Sequence, residues 1–261
     1  MKFQDKVVLI VGASSGIGRT LALRLASEGA HVVVTARRRD KLESLVAQIA
    51  QEGGHALALA ADAQDPAAAE QVVHETVQRL GRIDLVMLNA GGAPALDMRT
   101  MGARDVTAYM RSNYDVAVNY LFPVLHQMVR QGGGVVAQTN SLAGFLGVPL
   151  QGPYSAAKGA LRLLIDTCRV EFGRYGIRFV SVYPGFIGTE ATANDGMPAP
   201  LQMSEDRAVD HLMRAIAREH MDYCFPWQTS WLVKLTQVLP KWLVVRILRR
   251  EVPPSPAGQA L

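Results

Sequence analysis

The 261-residue sequence predicts an α/β fold, a doubly wound parallel sheet in three layers that forms a single domain. Short apolar runs rich in valine alternate with longer segments whose apolar residues recur at helical spacing. This alternation is typical of parallel strands that helices cover on both faces. The residues able to carry chemistry follow the ends of those runs, where ligands bind in such sheets.

The predicted elements follow one another in this alternating order. The run KVVLIVG at 6–12 is a buried strand by its β-branched character, and RTLALRLASEGA after it has helical spacing. The expected strands are 6–12, 31–36, 55–61, 83–88, 134–140, 177–183 and, with the weakest pattern, 222–225. The expected helices are 16–29, 39–52, 65–80, 102–130, 153–175, 204–219 and 230–249. The domain then spans 1–252, and PPSPAGQAL at 253–261 is expected to be a frayed tail.

Composition limits the function classes. Apolar residues make up 49% of the chain, enough for a large core. Cys168 and Cys224 have no metal or redox spacing, which indicates buried thiols in a reduced, cytoplasmic compartment. The six histidines form no ligand pair, so no metal is expected, and the net charge of +4 suits an anionic cofactor. No nucleic-acid partner, signal peptide or membrane span is expected.

A glycine cluster directly follows the first strand. In GASSGIG, Gly12, Gly16 and Gly18 lie on a strand–turn–helix. Glycines there permit a tight turn and let a diphosphate approach the backbone at a helix N-terminus. The order differs from the usual G-x-G-x-x-G, and an ordinary turn is the alternative. The strand before and the helix after favour cofactor binding.

Tyr154, Lys158 and Ser141 have the spacing of a proton-transfer site. The tyrosine and the lysine are four residues apart on a predicted helix and therefore share a face. The pKa of tyrosine is ordinarily about 10, and we expect the lysine to lower it towards the working range. The Ser141 hydroxyl can hold a substrate oxygen against the tyrosine. For the Y-x-x-x-K spacing alone, an exposed helix pair is the alternative.

Five separated motifs occur in order along the chain, namely VGASSGIG at 11–18, DA at 62–63, NAG at 89–91, Ser141 with YSAAK at 154–158, and PGFIGT at 184–189. With these motifs, from about residue 5 to about residue 195, the sequence resembles the short-chain dehydrogenases/reductases in their compact single-domain form, which implies a Rossmann-like fold. It departs from the family in Val11 for threonine, Val116 for glycine and Asn140 for a second serine.

The resemblance implies hydride transfer between a nicotinamide and a carbonyl or secondary alcohol. Tyr154 would be the general acid/base, Ser141 would orient the substrate oxygen, and Lys158 would bond the nicotinamide ribose. Asn113 would hold a water that links Lys158 to solvent, with a polar helix kink as the alternative. The implied cofactor-binding residues are Gly12, Ser14, Ser15, Gly16, Ile17, Gly18, Arg37, Arg38, Asp62, Ala63, Asn89, Ala90, Gly91, Tyr154, Lys158, Pro184, Gly185, Ile187 and Thr189.

The end of the second strand favours NADP(H). An acidic residue there would take the ribose hydroxyls and repel a phosphate, and none precedes Asp40. Arg37 can fork onto a 2′-phosphate, and the family resemblance supports this, although Ser15 replaces a basic residue of many NADP(H) members. The alternatives are a solvated basic turn for Arg37 and a strand-end turn for Asp62.

The sequence says less about the substrate than about the reaction. Residues 186–204 are expected to form the substrate loop. The far side of the pocket favours an apolar, lipid-like carbonyl or alcohol. The alternatives are an NADP(H)-binding regulatory protein without turnover, a 3-oxoacyl-thioester reductase and a sugar epimerase. The residues expected on that far side are Leu142, Phe145, Leu146, Leu150 and Gln151.

The helical tail at 228–250 departs most from the family pattern. Trp231, Leu235, Val238 and Leu239 share a helical face, and every charge between 229 and 250 is basic. We expect the tail to cover the pocket or a subunit seam. Peripheral membrane contact through 230–250 is the alternative.

The two longest predicted helices carry apolar residues beyond one face, which predicts a homodimer about a two-fold axis. A tetramer is the alternative, disfavoured because the chain lacks the family's C-terminal glycine ending. The residues of this surplus are Tyr109, Val116, Val118, Leu121, Phe122, Leu161, Leu164, Cys168 and Phe172.

Overall fold

A computed structural model describes residues 1–188 and 202–252, and a seven-stranded parallel sheet lies at its centre. The strands are β1 Val7–Val11, β2 His31–Ala36, β3 His55–Ala60, β4 Leu85–Leu88, β5 Gly134–Thr139, β6 Ile177–Pro184, β7 Ile187–Gly188, β8 Met203–Ser204 and β9 Asp222–Phe225. Their order in the main sheet is β3-β2-β1-β4-β5-β6-β9, so the weakest strand prediction is confirmed. β7 and β8 form a separate parallel pair.

Helices cover both faces of the sheet. The helices are α1 Gly16–Ser27, α2 Arg39–Gln51, α3 Pro66–Leu80, α4 Ala103–Met110, α5 Val116–Gln131, α6 Gly152–Phe172, α7 Glu205–Ala217, α8 Trp227–Val238 and α9 Lys241–Leu248. One apolar core joins the sheet to α1, α2 and α7, and a second joins it to α3, α5 and α6. Within β1, Val8 and Ile10 enter the first core while Leu9 and Val11 enter the second. A strand buried on both faces needs an unbroken apolar run, and the doubly wound prediction is confirmed.

The strand order reverses at β1, which places the site. β1 pairs with β2 on one side and with β4 on the other, so the chain after β3 must cross to the far side of β1. The loops that leave β1 and β4 therefore diverge and leave a crevice at their carboxyl ends. Gly12 and Asn89 follow those two strands.

Two predicted helices are interrupted. The helix expected at 102–130 contains a π-helical turn at Arg111–Asp115, where the buried Asn113 side chain bonds both to its own helix and to the loop after β4. The helix expected at 230–249 breaks before Pro240, which has no backbone N–H to continue it. The π turn could not be predicted, since its cause is a tertiary contact.

The surplus apolar residues are only partly at the surface. Leu121, Leu161 and Cys168 are buried in the chain's own core and Val116 is buried at the cavity described below, so the prediction that they form an extra face is wrong. On the outer side of α5 and α6, Phe122, Leu163 and Val170 are exposed by 37%, 59% and 83%. Val118, Leu164 and Phe172 are partly buried.

The two short strands β7 and β8 join the ends of the expected substrate loop. They are two residues long each, too short to leave a periodic pattern in the sequence. Residues 189–201 between them, with Thr189, and the expected frayed tail 253–261 lie outside the described residues.

Candidate active site

A cavity of about 820 Å³ lies at the carboxyl ends of the strands. It extends from the loops after β1, β2 and β3 to the loops after β4, β5 and β6, and then to α8 and α9. The predicted site residues that line it are Gly12, Ser14, Ser15, Gly16, Ile17, Arg37, Arg38, Asp62, Ala63, Asn89, Ala90, Gly91, Asn113, Ser141, Tyr154, Lys158, Pro184, Gly185 and Ile187. The structure thus brings five separated motifs into one space.

The glycine turn after β1 is held by close backbone packing. Gly12 has φ +87°, and a Cβ there would lie 2.8 Å from the backbone of Ala90. Gly18 does not line the cavity; a Cβ on it would meet the Gly12 carbonyl oxygen at 2.1 Å. Asn89 Nδ2 donates to that same carbonyl at 3.1 Å, and Asn89 Oδ1 accepts from Thr139 Oγ1 at 2.8 Å. One asparagine therefore fastens the ends of β1, β4 and β5 together.

The first turn of α1 is available to a ligand. Ser15 is its N-cap residue, yet its side chain makes no capping bond to the helix. The Ser15 hydroxyl instead accepts from Arg38 Nη2 at 2.7 Å, and Ser14 Oγ accepts from the same nitrogen at 2.9 Å. The amides that open α1 are therefore left without a side-chain acceptor, and they suit an anion.

The two arginines after β2 have different surroundings. Arg38 is engaged with the serine pair of the glycine turn. Arg37 is exposed at the cavity wall and has no hydrogen bond or ion pair with any residue of 1–188 and 202–252. Its guanidinium is therefore free to bind an anionic group in the cavity. Asp62 lines the same region and also forms the strand-end turn, since its Oδ1 accepts from Gln64 N at 3.0 Å.

The four predicted catalytic side chains meet at the other half of the cavity. Lys158 is 4% exposed, and its Nζ donates to the Thr139 carbonyl oxygen at 2.8 Å. The same Nζ lies 5.6 Å from the centre of the Tyr154 ring. Burial lowers the pKa of Lys158 to about 8.

The expected effect of the lysine on the tyrosine is not observed. Burial raises the pKa of Tyr154 to about 12, and the smaller lowering effect comes from a hydrogen bond with Ser141. The Lys158 ammonium faces the Thr139 carbonyl and the tyrosine ring, so desolvation dominates the phenol. At neutral pH Tyr154 is therefore a neutral phenol, which is a proton donor.

Asn113 and Tyr109 hold the loop after β4. Asn113 Oδ1 accepts from Gly92 N at 3.0 Å, and the Tyr109 hydroxyl donates to Gly92 O. Tyr109 was expected on the subunit face, but it lines the cavity, and burial together with repulsion from Tyr154 raises its pKa. Its position one helical turn before Asn113 is the sequence signal that could have placed it here.

Asn140 is a second residue whose role the sequence did not reveal. It is 1% exposed, its Oδ1 accepts from Ser141 N at 2.8 Å, and its Nδ2 donates to the Lys158 carbonyl oxygen at 3.1 Å. It therefore ties the backbone of two predicted catalytic residues together. A buried asparagine with both ends bonded fixes the distance between β5 and α6.

The substrate end of the cavity is mainly apolar. Among the predicted lining residues, Leu142, Leu146 and Gln151 do line it. Phe145 does not, because its ring packs 4.7 Å from that of Tyr183. Leu150 does not line it either. Phe186 of the expected substrate loop also lines the cavity, as do Thr229, Val233 and Leu248 of the tail that was expected to cover the pocket or a subunit seam. Val148 is a lining residue that the sequence did not suggest.

The described residues hold neither a metal cluster nor a membrane-spanning helix. Within residues 1–188 and 202–252, no three or more His, Cys, Asp or Glu side chains are grouped to hold a metal ion. No helix there is long and apolar enough to cross a bilayer. Cys168 is buried and Cys224 partly buried, and burial raises the pKa of both thiols.

Comparison with known proteins agrees with this geometry. A family model described as short chain dehydrogenase matches residues 6–198. A protein of Myxococcus xanthus named uncharacterized oxidoreductase is 32% identical over 245 residues, covering 94% of this chain and 97% of its own. An L-rhamnose 1-dehydrogenase (NAD(P)(+)) of a Sphingomonas species is 34% identical over 194 residues, covering 74% and 76%. The crystal structure of levodione reductase aligns with TM-score 0.81 and 28% identity, covering 87% and 98%.

Proposed function

This chain belongs to the short-chain dehydrogenase family and is an oxidoreductase acting on alcohol or carbonyl groups; from that premise we propose an NADP(H)-dependent enzyme for an apolar, lipid-like substrate, with Tyr154 as general acid/base. The observation that most strongly supports this proposal is that Ser141, Tyr154 and Lys158 line the same cavity as the glycine turn and Arg37. A single domain at 1–252, with residues 186–204 as its substrate loop, is part of the proposal.

The residues present fit NADP(H). A Cβ at Gly12 would collide with the Ala90 backbone, so only glycine leaves the turn open to a diphosphate. The uncapped amides of α1 would bind its oxygens, and the unpaired Arg37 would take the 2′-phosphate. When bound, NADP(H) supplies or accepts a hydride. The family resemblance assigns the carboxamide to Thr189, which remains a prediction.

In the reducing direction, Tyr154 gives its proton to the substrate carbonyl oxygen as that oxygen becomes an alkoxide. The raised pKa of Tyr154 keeps the phenol protonated at neutral pH, so the chain is prepared for reduction. Ser141 donates a hydrogen bond to the same oxygen and holds it against the phenol. In the reverse direction, Tyr154 must first lose its own proton to solvent, and the resulting phenolate removes the hydroxyl proton.

The lost proton must be replaced, and Asn113 and Lys158 are the residues proposed to do so. A Cβ built on Gly91 would lie 2.8 Å from Asn113 Oδ1 and 3.9 Å from Lys158 Nζ, so the two polar groups converge beside that glycine. A water held there would pass protons from solvent towards Tyr154. With a pKa of about 8, Lys158 can both give and accept a proton near neutral pH.

The substrate class follows from the residues at the substrate end of the cavity. Leu142, Leu146, Val148, Phe186 and Val233 give that end an apolar character. Outside the catalytic set the polar side chains there include Gln151 and Thr229, and this mainly apolar lining supports a hydrocarbon-rich ketone or alcohol. A 3-oxoacyl-thioester reductase is the alternative within this chemistry.

The test is turnover of NADPH and NADH with a panel of long-chain ketones, short ketones, aldehydes and 3-oxoacyl thioesters. The proposal expects NADPH oxidation with the long-chain ketones. Turnover confined to thioesters would select the alternative enzyme. Tight NADPH binding with no turnover of any member would indicate a regulatory protein, and a product epimerised without net NADPH oxidation would indicate an epimerase.

We further propose a homodimer in the cytoplasm. The exposed apolar residues Leu163 and Val170, which share one face of α6, support self-association about a two-fold axis. The two cysteines, which form no disulfide, support a reduced compartment. We also propose that residues 230–250 make peripheral contact with a membrane, because the outer sides of α8 and α9 are exposed.

A further inference from the structure

The helices α8 and α9 have an apolar outer side that no described residue covers. On α8, Trp227, Trp231 and Val238 are exposed by 75%, 61% and 79%, and with Lys234 they recur at helical spacing along one stripe. On α9, Trp242 is 68% exposed. All three tryptophans of the chain are therefore at this surface. The tryptophan face, as we name it, consists of Trp227, Trp231, Lys234, Val238, Trp242, Val245, Arg246 and Arg249.

The charges around the tryptophan face have one sign. Between 227 and 252 Glu251 is the one acidic residue. All the cations of this stretch are exposed, and within the described ranges none of them forms an ion pair. They are Lys234, Lys241, Arg246, Arg249 and Arg250. Exposed tryptophans among unpaired cations suit the boundary of an anionic bilayer, where rings are half-buried and cations meet lipid phosphates.

The inner sides of the same helices belong to the active-site cavity. Thr229 and Val233 of α8 and Leu248 of α9 line it beside the apolar substrate wall. Gln237 Nε2 donates to the Phe145 carbonyl oxygen at 2.7 Å and fixes α8 to the segment after Ser141. A single layer of helix, formed by α8 and α9, therefore lies between the substrate end of the cavity and the tryptophan face.

We infer that the tryptophan face docks on an anionic lipid bilayer, and that the cavity takes its carbonyl substrate from that bilayer as an amphiphile. The second part rests on the proposed function, whereas docking does not. Because no helix in the described part of the chain can span a bilayer, docking is peripheral, with α8 and α9 lying in the membrane plane.

A second copy of the chain is a poorer occupant of this face. In a two-fold dimer the face would meet itself, so each subunit would bring Lys234, Arg246 and Arg249 against the same cations of its partner, with Lys241 and Arg250 close in the chain. Like charges at such an interface are repulsive, and the stretch 227–252 holds one carboxylate, Glu251, to offset them. A phosphatidylglycerol surface presents the opposite charge and the apolar depth that the tryptophans need.

Docking is tested by flotation of the full chain with vesicles of phosphatidylcholine alone or with 30 mol % phosphatidylglycerol. We expect binding to the anionic vesicles that falls with added salt, and little binding to the neutral ones. The double variant Lys234→Gln/Arg246→Gln, which removes two cations of the face, should lose about 25-fold in vesicle affinity, at about fivefold per cation. Trp231→Gln should also weaken it.

Two control variants match these changes at the opposite end of the sheet. Lys2→Gln removes an exposed cation before β1, and Met221→Gln removes a side chain that is 62% exposed, close to the 61% of Trp231. Neither should alter flotation. Equal loss in controls and test variants, or no binding of the wild type, would overturn the inference. If the wild type does not float with vesicles and Trp231→Gln dissociates an oligomer of the chain, the tryptophan face binds a second copy of the chain. That result would also overturn the inference.

Delivery from the bilayer has its own readout. For a long-chain 2-alkanone dissolved in anionic vesicles, Trp231→Gln should reduce kcat/KM about as much as it reduces flotation, while kcat/KM for a short, water-soluble ketone stays unchanged. If wild type and variant use the vesicle-bound ketone equally, delivery is wrong although docking stands. If neither ketone is reduced while flotation is normal, the proposed enzyme activity has failed and docking has not.

Discussion

The side-chain ammonium of Lys158 donates a 2.8 Å hydrogen bond to the backbone carbonyl oxygen of Thr139. Thr139 ends β5, and its hydroxyl donates to Asn89, whose amide in turn donates to the Gly12 carbonyl. One chain of hydrogen bonds therefore runs from the predicted catalytic helix to the glycine turn. The two linking side chains, Thr139 and Asn89, are short and at least partly buried, so proton transfer and cofactor binding are expected to respond together to a change at either end.

Lys158 should destabilise the cofactor-free protein at neutral pH. Burial lowers its pKa from 10.5 to about 8, so the protonated lysine is disfavoured in the folded state. Below about pH 8 both folded and unfolded states hold the proton and the penalty is complete; between pH 8 and 10.5 only the unfolded state keeps it, and the penalty shrinks as pH rises. The pKa shift corresponds to a loss of about 3 kcal/mol in the free energy of unfolding. The hydrogen bond to Thr139 offsets about 1 kcal/mol of that loss.

Lys158→Met should therefore raise the free energy of urea unfolding by about 2 kcal/mol at pH 7. The gain should fall towards zero or below between pH 8 and 10. Lys158→Ala would leave a cavity instead and is the poorer test. A gain that does not change with pH would show that packing, and not the charge, sets the stability of this position.

Replacing the Tyr154 phenol should abolish most catalysis without disturbing the fold. Tyr154→Phe removes the proton donor and should lower kcat by roughly 10²–10⁴-fold, with NADPH affinity changed less than about threefold. Tyr109→Phe is the matched control, since it also removes a cavity hydroxyl, one that donates to Gly92. We expect it to keep most of the turnover. Near-normal turnover of Tyr154→Phe would contradict the mechanism.

The cofactor preference should reside in Arg37 and not in its neighbour. Arg37→Ser should weaken NADPH binding about 10- to 150-fold and leave NADH binding unchanged, because one charge-assisted phosphate contact is lost. Arg38→Ser should weaken both cofactors, because it releases Ser14 and Ser15. Arg39→Ser, an exposed arginine that pairs with Glu43, is the control. Calorimetry in which the wild type binds NADH as tightly as NADPH would reject this assignment.

Asn140 should support catalysis by position. Asn140→Ala leaves the Ser141 amide without its partner and removes a second bond to the Lys158 carbonyl, which lies inside α6, and this should cost about 1–3 kcal/mol of unfolding free energy. It should lower kcat more than it raises KM, because Ser141 and Lys158 lose their mutual register. Asn140→Ser, the residue common in the family, should recover part of both. Unchanged urea unfolding of Asn140→Ala would show that the two bonds are replaced by water.

The sequence was sufficient for the features that depend on local pattern. Val8, Leu9 and Ile10 lie in a strand that is buried on both faces, which requires a continuous apolar run. The positions of the buried strands could therefore be predicted from such runs. The glycine turn and the Tyr154–Lys158 spacing were legible for the same reason, since each depends on residues close in the chain.

Features that depend on distant contacts could not be predicted. The π turn at Arg111–Asp115 arises from the bond between Asn113 and Gly92, and the engagement of Arg38 arises from its contact with the serine pair. The pKa of Tyr154 was predicted in the wrong direction, because spacing reveals that a lysine is near but not where its ammonium points or how dry the site is.

The last prediction concerns assembly through the outer side of α5 and α6. Val170 and Leu163 are seven residues apart on α6, so they share a face, and both are exposed together with Phe122 of α5. A two-fold axis would bring each residue near its own copy and remove it from water. Light scattering at micromolar concentration should give twice the chain mass of 28.3 kDa. Val170→Asp should shift this to the single mass by placing two carboxylates together, while Met221→Asp, 62% exposed before β9, should not. A wild-type monomer would contradict the dimer, and a tetramer would require a second interface.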